Sequence, residues 1–542
     1  MKTVLRRALW ASLLCSTLAR AAGDPLLSEA ELQSRLAARF ESDRTGACVV
    51  AALIQGTEVH RAHACAKLRE GDAPGYRSAF EIGSISKTMT AFLVADLIGQ
   101  GRWSLDDPIA RHLPPGTTVP AQGERQILVR DILTHRSGLP ALPPDFAPAQ
   151  HDDPYADLTE AKLLAALGKV TLTRPIGSQY EYSNFAMMLM SLAVSHAYGG
   201  SYESALRKQL FGPLKMAQAF VDEAPAGSEH ASGHLASGLP TSAWHNDPML
   251  AGVGMVKASL DDMVRYAQAE MGVGQDRPDA RMTMTQRPLV PGFGMNWMLA
   301  PAGAQQLVAH GGATGGFSST LIMLPAQQRA VVILADASQP DGLDSVALNL
   351  LGIRADMPPP RVAMEAPASA MDATVGDYAV GDLQWKVYKD EGRLMARREG
   401  AKPFELLYDS YGDFYLRQVS AYFHPTLRSG QVVGGLWYQG GGAQEVRRLG
   451  VDASPSATNP AWKAWAGEYA LMPRFHITVF EEDGQLKIQG TGQPAFVAEV
   501  TGPDRIEVKS VGAVMEFQRD GQGKVLALIL RQNGAVIEGK RL

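Results

Sequence analysis

The stretch of sequence that decides the expected fold and chemistry of this chain is Phe80-Glu81-Ile82-Gly83-Ser84-Ile85-Ser86-Lys87. Apolar residues follow it at helical spacing, at Met89, Phe92, Leu93, Leu97 and Ile98. This pattern predicts Ser84 in the first turn of a buried helix, with Lys87 one turn further on the same face. A lysine in a partly desolvated pocket can lose its proton near neutral pH and activate a serine hydroxyl. We therefore predict Ser84 as a nucleophile and Lys87 as its general base.

A Ser-x-x-Lys pattern alone is weak, because a chain of this length contains such a pair by chance. A second element strengthens it: Tyr180-Glu181-Tyr182-Ser183-Asn184, followed by an apolar stretch. Tyr182 and Asn184 are two residues apart, so an extended backbone points both to one side. A phenol can relay a proton to a leaving group, and an amide can orient a substrate. The alternative is a surface tyrosine and an asparagine that caps the next helix.

The third element joins an apolar run to glycines: Leu307-Val308-Ala309-His310-Gly311-Gly312-Ala313-Thr314-Gly315-Gly316-Phe317. Glycines such as Gly312 at a strand edge let a substrate backbone approach closely and pair with exposed N–H groups. The N–H of Ala313 is our candidate partner for the N–H of Ser84 in holding an oxyanion. A glycine-rich hairpin with a satisfied His310 is the alternative.

Together, the three elements resemble the motif set of the serine β-lactamase and penicillin-binding-protein superfamily, also called the S12 peptidase group. Further phrases are similar to that family: Leu105-Asp106-Asp107-Pro108, Leu133-Thr134-His135-Arg136-Ser137-Gly138-Leu139-Pro140 and Phe293-Gly294-Met295-Asn296-Trp297. The resemblance implies an α/β catalytic domain over residues 22–355, with an antiparallel sheet and a helical cluster. It also implies acyl-enzyme chemistry on Ser84.

By that resemblance, Lys87 is the general base and Tyr182 the acid or co-base, and which of the two takes the first proton is left open. Asn184 would bind the substrate amide. Class C β-lactamases carry Lys-Thr-Gly where this chain has His310-Gly311-Gly312. A histidine supplies a fixed positive charge only when protonated, which argues against efficient β-lactam hydrolysis. The His-x-Gly pattern is similar to that of the family's D-aminopeptidases, D-Ala carboxypeptidases and esterases.

The first 21 residues are typical of a secretory signal peptide. Lys2, Arg6 and Arg7 precede an apolar stretch from Ala8 to Ala19, and small residues favour cleavage after Ala21. The apolar run is shorter than the roughly 20 residues of a membrane span. Removal of the four basic residues in this segment would change the formal charge from −5 to −9. We therefore expect a periplasmic or secreted protein.

The two cysteines that would remain, Cys48 and Cys65, flank an apolar run and a turn-like Gln55-Gly56-Thr57-Glu58. A hairpin centred between Gly56 and Thr57 places both cysteines directly opposite each other, within reach of a disulfide. An oxidising compartment would allow that bond to form. Two free buried cysteines are the alternative.

Composition shifts predict three further segments: a linker over 356–372, one β-barrel repeat over 373–452 and a second over 461–542. In the alignment of the repeats, Gly376 matches Gly467 and Arg448 matches Arg541, with an offset that changes by only two residues. Short strands between regular turns are typical of small antiparallel barrels. This layout is similar to that of the family's D-aminopeptidases.

The sequence favours an exported serine hydrolase that acts on D-amino-acid, cell-wall-type peptides. A carboxylesterase or weak β-lactamase on the same site, and a penicillin-binding receptor that does not turn over, are the alternatives. Small peptides, esters or β-lactams are the expected substrates. No basic run indicates nucleic acid, and we expect no metal, no cofactor and no transmembrane anchor after signal cleavage.

Overall fold

The computed structural model describes residues 25–542 apart from 68–72, 278, 303–304, 340–341, 355, 382, 399, 429, 440–441, 452–461, 473–474, 483, 491–494, 509–512 and 533–534. The chain forms two compact units, one that ends at Arg361 and one from Val362 to Leu542. The predicted signal peptide, 1–21, and the residues between the two predicted repeats, 453–460, lie outside the described residues.

A six-stranded antiparallel sheet is the centre of the first unit. The strands of this unit are β1 (Cys48–Gln55), β2 (Glu58–Cys65), β3 (Phe80–Glu81), β4 (Lys257–Ala258), β5 (Met298–Ala302), β6 (Gln305–Ala313), β7 (Ser318–Leu324) and β8 (Arg329–Ala335). The large sheet has the order β2-β1-β8-β7-β6-β5, and β3 pairs separately with β4. Strands β7 and β8 are buried at every position, as expected of strands covered on both faces.

The helices of the first unit form a cluster around two buried members. They are α1 (Glu29–Phe40), α2 (Ser86–Gly99), α3 (Val129–Leu133), α4 (Glu160–Leu167), α5 (Asn184–Ala197), α6 (Tyr202–Leu206), α7 (Leu260–Glu270), α8 (Ala280–Thr285) and α9 (Asp344–Leu350). Both α2 and α5 are buried along nearly their whole length, which matches their apolar sequence on every face. The predicted fold class, an antiparallel sheet with a helical cluster, is therefore confirmed. Within the described ranges, no helix combines the length and apolarity that a bilayer span requires.

The hairpin of β1 and β2 has the predicted register. Cys48 faces Cys65, and Gln55 faces Glu58 at the turn. The two cysteines form a disulfide in the structure. This bond fastens the outermost strand of the sheet to its neighbour at the end opposite the turn.

Side chains of α1 cover the backbone of the edge strand β2. The amide of Gln33 donates from Nε2 to the carbonyl oxygen of His63 (2.7 Å) and accepts from the His63 N–H (3.3 Å). The carboxylate of Glu29 accepts from the N–H of Arg61 at 3.2 Å. These side chains satisfy backbone groups that a neighbouring strand would otherwise pair.

The second unit consists of two antiparallel sheets and one helix in the described residues. Its elements are β9 (Ala363–Met364), α10 (Ala368–Thr374), β10 (Gly376–Val380), β11 (Leu383–Asp390), β12 (Arg393–Arg398), β13 (Phe404–Glu405), β14 (Leu407–Asp409), β15 (Phe414–Tyr415), β16 (Ala421–Arg428), β17 (Gln431–Gln439), β18 (Gly442–Arg448), β19 (Gly467–Met472), β20 (Phe475–Glu482), β21 (Gln485–Gly490), β22 (Ala495–Val497), β23 (Glu499–Gly502), β24 (Arg505–Val508), β25 (Ala513–Arg519), β26 (Val525–Gln532) and β27 (Ala535–Arg541). Strands β9 to β18 form a ten-stranded sheet and β19 to β27 a nine-stranded sheet. Both are barrel-like, and each has its own apolar core. The segment predicted as a linker, 356–372, carries β9, which pairs with β14 of the first barrel-like sheet.

One arginine fastens β18 to the segment that leads into its neighbour, β10. Arg448, the last residue of β18, donates from Nη2 to the carbonyl oxygen of Val375 at 2.6 Å. Its guanidinium lies 6.0 Å from the centre of the Tyr378 ring, and the Tyr378 hydroxyl donates to the carbonyl oxygen of Thr374 at 2.7 Å. A Cβ on Gly376 would lie 2.8 Å from Nε of the same arginine, so the glycine leaves room for this side chain.

The second barrel-like sheet has the same arrangement. Arg541 donates from Nη2 to the carbonyl oxygen of Ala466 at 2.5 Å and lies 5.8 Å from the centre of the Tyr469 ring. The Tyr469 hydroxyl donates to the carbonyl oxygen of Trp465 at 2.7 Å. The residues that match in the sequence repeat therefore make matching contacts in both sheets.

A carboxylic acid is buried in the helical cluster of the first unit. Glu270, at the end of α7, accepts a hydrogen bond from Nε2 of Gln286 at 2.7 Å and contacts the hydroxyl of Tyr266. Burial raises the pKa of Glu270 to about 8, although the hydrogen bonds from Gln286 and Tyr266 act in the opposite direction. Glu270 is therefore protonated in the folded protein at neutral pH.

We predict that Glu270→Gln removes one source of pH dependence from the stability. The folded pKa lies above the unfolded value, so the unfolded state loses this proton first, and stability falls as pH rises from about 4.5 through about 8. The free energy of unfolding of wild type should therefore fall, relative to that of the variant, by about 2–3 kcal/mol between pH 6 and pH 9. Urea unfolding of the full chain, followed by helical circular dichroism at both pH values, measures this difference. A constant difference between the two proteins would contradict the assignment.

Candidate active site

Ser84 lies on a short turn between strand β3 and helix α2. The turn, Gly83–Ile85, is a 3₁₀ helix, and the α-helix begins at Ser86. The Ser86 hydroxyl donates to the carbonyl oxygen of Gly83 at 2.7 Å, which fixes the turn. The sequence predicted Ser84 within the first turn of the helix. The structure instead places Ser84 just before the α-helix.

The side chain of Lys87 reaches back from α2 to the serine. Its Nζ lies 3.0 Å from Oγ of Ser84 and also donates to the carbonyl oxygen of Val253. Lys87 is fully buried, and Nδ2 of Asn296 donates to its backbone carbonyl oxygen at 3.1 Å. The helix and these two partners hold the amine beside the serine hydroxyl.

Tyr182 completes a three-residue cluster with Ser84 and Lys87. The Lys87 Nζ lies 4.9 Å from the centre of the Tyr182 ring, and Tyr182 is buried. The ring of His135 packs against the Tyr182 ring with centroids 4.3 Å apart. The N–H of Ser183 donates to His135 Nδ1 at 3.2 Å, so this nitrogen is the acceptor and the imidazole is braced next to the phenol.

Asn184 is the first residue of helix α5. The Ser183 hydroxyl caps this helix by accepting from the N–H of Ala186 at 2.9 Å, which is an ordinary N-cap. The Asn184 Nδ2 donates to the hydroxyl of Tyr155 at 3.3 Å. Its Oδ1 is buried and has no hydrogen-bond partner among the described residues. The amide therefore has an acceptor left for a ligand.

The glycines of β6 allow that strand to lie directly against the turn that carries Ser84. A Cβ on Gly83 would lie 2.6 Å from the N–H nitrogen of Ala313, and a Cβ on Gly312 would overlap the carbonyl oxygen of Ile82. Gly83 also has a φ of +51°, a conformation that favours glycine. The backbone of Ala313 is thereby brought next to the backbone that precedes Ser84.

The same end of β6 is paired on one side only within the described strands. Strand β7 pairs with it as far as Ala313, whereas β5 pairs with it only as far as Ala309. Gly311 and Gly312 are buried and Ala313 is exposed, so this strand edge is accessible at Ala313, beside Ser84. His310, just before that edge, is buried, and its Nδ1 lies 2.7 Å from the carbonyl oxygen of Gly311.

A cleft opens at Ser84. Its lining is uncharged and consists of Ser84, Tyr155, Asn184, Trp244, Val253, Gly254, Met255 and Ala313. The structure thus brings together the predicted residues Ser84, Asn184 and Ala313. Lys87 lies against the serine, and the Tyr182 ring lies beside the Lys87 amine. His310 and Gly312 are on the adjoining part of β6 and not in this lining.

Sequence reasoning missed two aromatic residues of the cleft, Tyr155 and Trp244. Their rings lie 5.4 Å apart in an edge-on arrangement. Tyr155 belongs to the segment rich in proline and aspartate that precedes α4, whereas no local pattern marks Trp244. Burial raises the pKa of Tyr155 to about 12, so its phenol is neutral at physiological pH.

A buried carboxyl group supports the wall of the cleft. The Oε1 of Glu81 accepts from the N–H of Trp244 at 2.8 Å. Burial raises the pKa of Glu81, while a hydrogen bond from Thr314 and the charge of Lys257 act in the opposite direction. Within the part of the chain that the structure describes, no group of three or more histidine, cysteine or acidic side chains could hold a metal ion.

Comparison with known proteins agrees with this geometry. The profile of the family described as Beta-lactamase matches residues 34–352, which include every residue of the candidate site. The chain belongs to the beta-lactamase family. The match ends just before the second unit begins.

Relatives within this family are distant. The chain is 25% identical over 340 residues to the D-alanyl-D-alanine-carboxypeptidase/endopeptidase AmpH of Escherichia coli (strain K12), a match that covers 58% of this chain and 86% of AmpH. It is 26% identical over 282 residues to penicillin-binding protein 4 of Amycolatopsis lactamdurans, covering 48% and 72% of the two chains. A solved beta-lactamase/D-alanine carboxypeptidase of Yersinia pestis, complexed with citrate, has 21% identity and a TM-score of 0.48, covering 57% of this chain and 94% of that one.

We predict that Gly312→Ala separates β6 from the nucleophile. The added methyl group would overlap the carbonyl oxygen of Ile82, and backbone atoms cannot yield as a flexible side chain can. We expect at least about a hundredfold loss of the acylation rate of Ser84, because misplacement by about 1 Å has that effect on well-positioned groups. Mass spectrometry of the protein treated with an activated ester measures acylation.

The matched control is Gly99→Ala, because Gly99 is exposed at the end of α2 and a Cβ there would meet no atom within 4 Å. Near-normal acylation of the Gly312→Ala protein, with its circular dichroism spectrum unchanged, would show that the close approach of β6 is dispensable.

Proposed function

We propose that this chain is an exported serine hydrolase that forms an acyl-enzyme on Ser84 and acts on D-amino-acid peptides of the cell-wall type. One observation carries the proposal: the buried Lys87 Nζ lies 3.0 Å from Oγ of Ser84 at an uncharged cleft. That distance is within reach of direct proton transfer. Membership of the beta-lactamase family supports the same chemistry.

The proposed reaction begins with attack of Ser84 Oγ on the substrate carbonyl carbon. The serine proton passes to Lys87 or Tyr182, whose ring centre lies 4.9 Å from Nζ of Lys87. The N–H groups of Ser84 and Ala313 stabilise the negative charge on the carbonyl oxygen. The bond to the leaving amine then breaks, and the Tyr182 hydroxyl, next to Lys87, is positioned to return a proton to that amine.

Water completes the proposed cycle. It attacks the ester carbonyl carbon and gives its proton to the Lys87–Tyr182 pair, and the ester bond to Ser84 breaks. The serine oxygen regains a proton, and the product leaves as a carboxylic acid. A receptor that does not turn over would stop before this step.

Peptide binding is supported by two features of the cleft. The strand edge at the exposed Ala313 can pair with an extended substrate backbone, and Asn184 has a buried acceptor, Oδ1, without a partner among the described residues. The distant relative AmpH is named a D-alanyl-D-alanine carboxypeptidase/endopeptidase. We propose His310 and Gly312 as residues that shape the substrate-binding edge, His310 standing where class C β-lactamases carry lysine.

Export is proposed from the first 21 residues together with the disulfide between Cys48 and Cys65. Disulfides persist in the periplasm and outside the cell and are rare in the cytosol. Cell-wall peptides occur in the same compartments, so location and substrate are consistent with each other.

The decisive test compares kcat/KM on D-alanine p-nitroanilide and its L-counterpart. We expect wild type to cleave the D-substrate at least about tenfold faster, which corresponds to a difference of about 1.4 kcal/mol in transition-state binding. Ser84→Ala should abolish turnover, and Lys87→Ala should be nearly as severe, because residues that act as a unit lose function together.

Other outcomes separate the alternatives. Preference for an activated short-chain ester over every amide would identify the protein as a carboxylesterase. Turnover of a chromogenic cephalosporin would identify it as a β-lactamase. A stable acyl adduct on Ser84 that never hydrolyses would indicate a receptor. Activity that persists in Ser84→Ala would refute the assignment of the nucleophile.

A further inference from the structure

Two loops that approach each other across the cleft carry its aromatic wall. Tyr155 belongs to the loop before α4, and Trp244 to the loop before Pro248. Neither is part of the serine, lysine and tyrosine cluster, but both line the same cleft as Ser84. Their side chains are the two largest in that lining. They therefore restrict the space next to the serine.

Hydrogen bonds connect the two loops to each other, and we call this set of bonds the clasp. Asp153 accepts from the N–H of His245 at 2.8 Å through one carboxylate oxygen, and its other oxygen lies 2.7 Å from His245 Nδ1. The Ser242 hydroxyl donates to Asp152 at 2.9 Å. Because Asp153 is buried, and charge-assisted hydrogen bonds are the stronger kind, the clasp resists separation of the loops.

Further contacts hold each aromatic ring in place. The Tyr155 hydroxyl accepts from Asn184 Nδ2, and the ring of Phe146 lies 5.5 Å from the Tyr155 ring. The backbone N–H of Trp244 donates to the buried Glu81. On the other side, a Cβ added at Gly315 would lie 2.7 Å from the indole nitrogen of Trp244. The indole is thus packed between fixed backbone and the cleft.

The space between these residues is small for a ligand pocket. The cavity volume is about 20 Å³, far below the roughly 300–1,000 Å³ that is typical of sites for drug-sized ligands. The lining offers no charged group to a substrate, so a charged acyl side chain would lose its hydration without compensation. A small uncharged group fits both limits.

We infer that Tyr155 and Trp244 set an upper size limit on the acyl side chain, so that the preferred side chain is small and uncharged, such as the methyl group of alanyl. This inference rests on the proposed function, because it concerns the substrate of the same cleft. Trp244 is the main determinant, since its indole is the larger side chain. The clasp between Asp153 and His245 makes the limit rigid.

The test is the ratio of kcat/KM for D-alanine p-nitroanilide to that for D-phenylalanine p-nitroanilide. We expect wild type to prefer the alanine substrate by at least about tenfold, within the discrimination that a hydrophobic pocket can achieve. Trp244→Ala should lower the ratio by about tenfold or more, and Trp244→Phe should give an intermediate value. The ratio separates a change of specificity from a general loss of rate.

Two further variants sharpen the test. His245→Ala leaves every lining side chain in place but breaks the clasp, so it should lower the ratio by a smaller factor, about threefold. Trp437→Ala removes a tryptophan of the second unit and should leave the ratio within about twofold of wild type. Circular dichroism of each variant verifies that it is folded.

The size limit is overturned if wild type cleaves the phenylalanine substrate as fast as the alanine substrate, or if Trp244→Ala and His245→Ala both keep the wild-type ratio. The same proteins are also acylated with p-nitrophenyl acetate and p-nitrophenyl phenylacetate, with the adduct on Ser84 followed by mass spectrometry. If no amide is cleaved but the ester ratio responds to Trp244→Ala, the peptidase assignment fails and the size limit stands. If neither ester acylates Ser84, both fail.

Discussion

The close contact between two stretches of bare backbone is the constraint on which the rest of the catalytic unit depends. Gly83, in the turn before α2, packs against Ala313, and Gly312 leaves no room for even a methyl group beside Ile82. The contact joins the sheet to the helical cluster at the position of the nucleophile. The proposed pairing of the Ser84 and Ala313 N–H groups requires the strand and the turn to lie this close together.

Helix α2 transmits this constraint to the lysine. Because the helix is buried along nearly its whole length, its apolar side chains fix the rotation that aims Lys87 back at Ser84. The carbonyl oxygen of Val253 then accepts a hydrogen bond from Nζ of Lys87, and the amide of Asn296 donates one to the backbone carbonyl oxygen of Lys87. Both ends of the lysine are therefore held. The packing of a core helix thus holds the Lys87 amine in position, and only a few specific contacts are added to it.

The sequence predicted those parts of the site that depend on local spacing. Ser84 and Lys87 are one helical turn apart, and Gly312 and Ala313 end an apolar strand, so pattern and resemblance could predict that these residues lie close together. The hairpin register that pairs Cys48 with Cys65 followed from symmetry about a turn. By contrast, the sequence misplaced Ser84 within the α-helix because an α-helix and a 3₁₀ turn have nearly the same periodicity.

The cleft wall could not be predicted in this way. Tyr155 and Trp244 lie on irregular loops almost ninety residues apart, and their proximity depends on the clasp between Asp153 and His245. Nothing in the neighbourhood of either aromatic residue gives a periodic signal. The strand within the segment expected to be a linker was missed for a similar reason, since its pairing partner lies far along the chain.

The two edges of the large sheet differ in how readily a strand of another molecule can pair with them. Along β2, Gln33 and Glu29 occupy backbone groups that another molecule's strand would seek, and the disulfide prevents this strand from peeling away at its cysteine end. Self-association of folded copies through strand addition is thereby discouraged at that edge. Near the other edge, the last residue of β6, Ala313, is exposed and lies beside Ser84. A strand added at that point would lie next to the Ser84 hydroxyl.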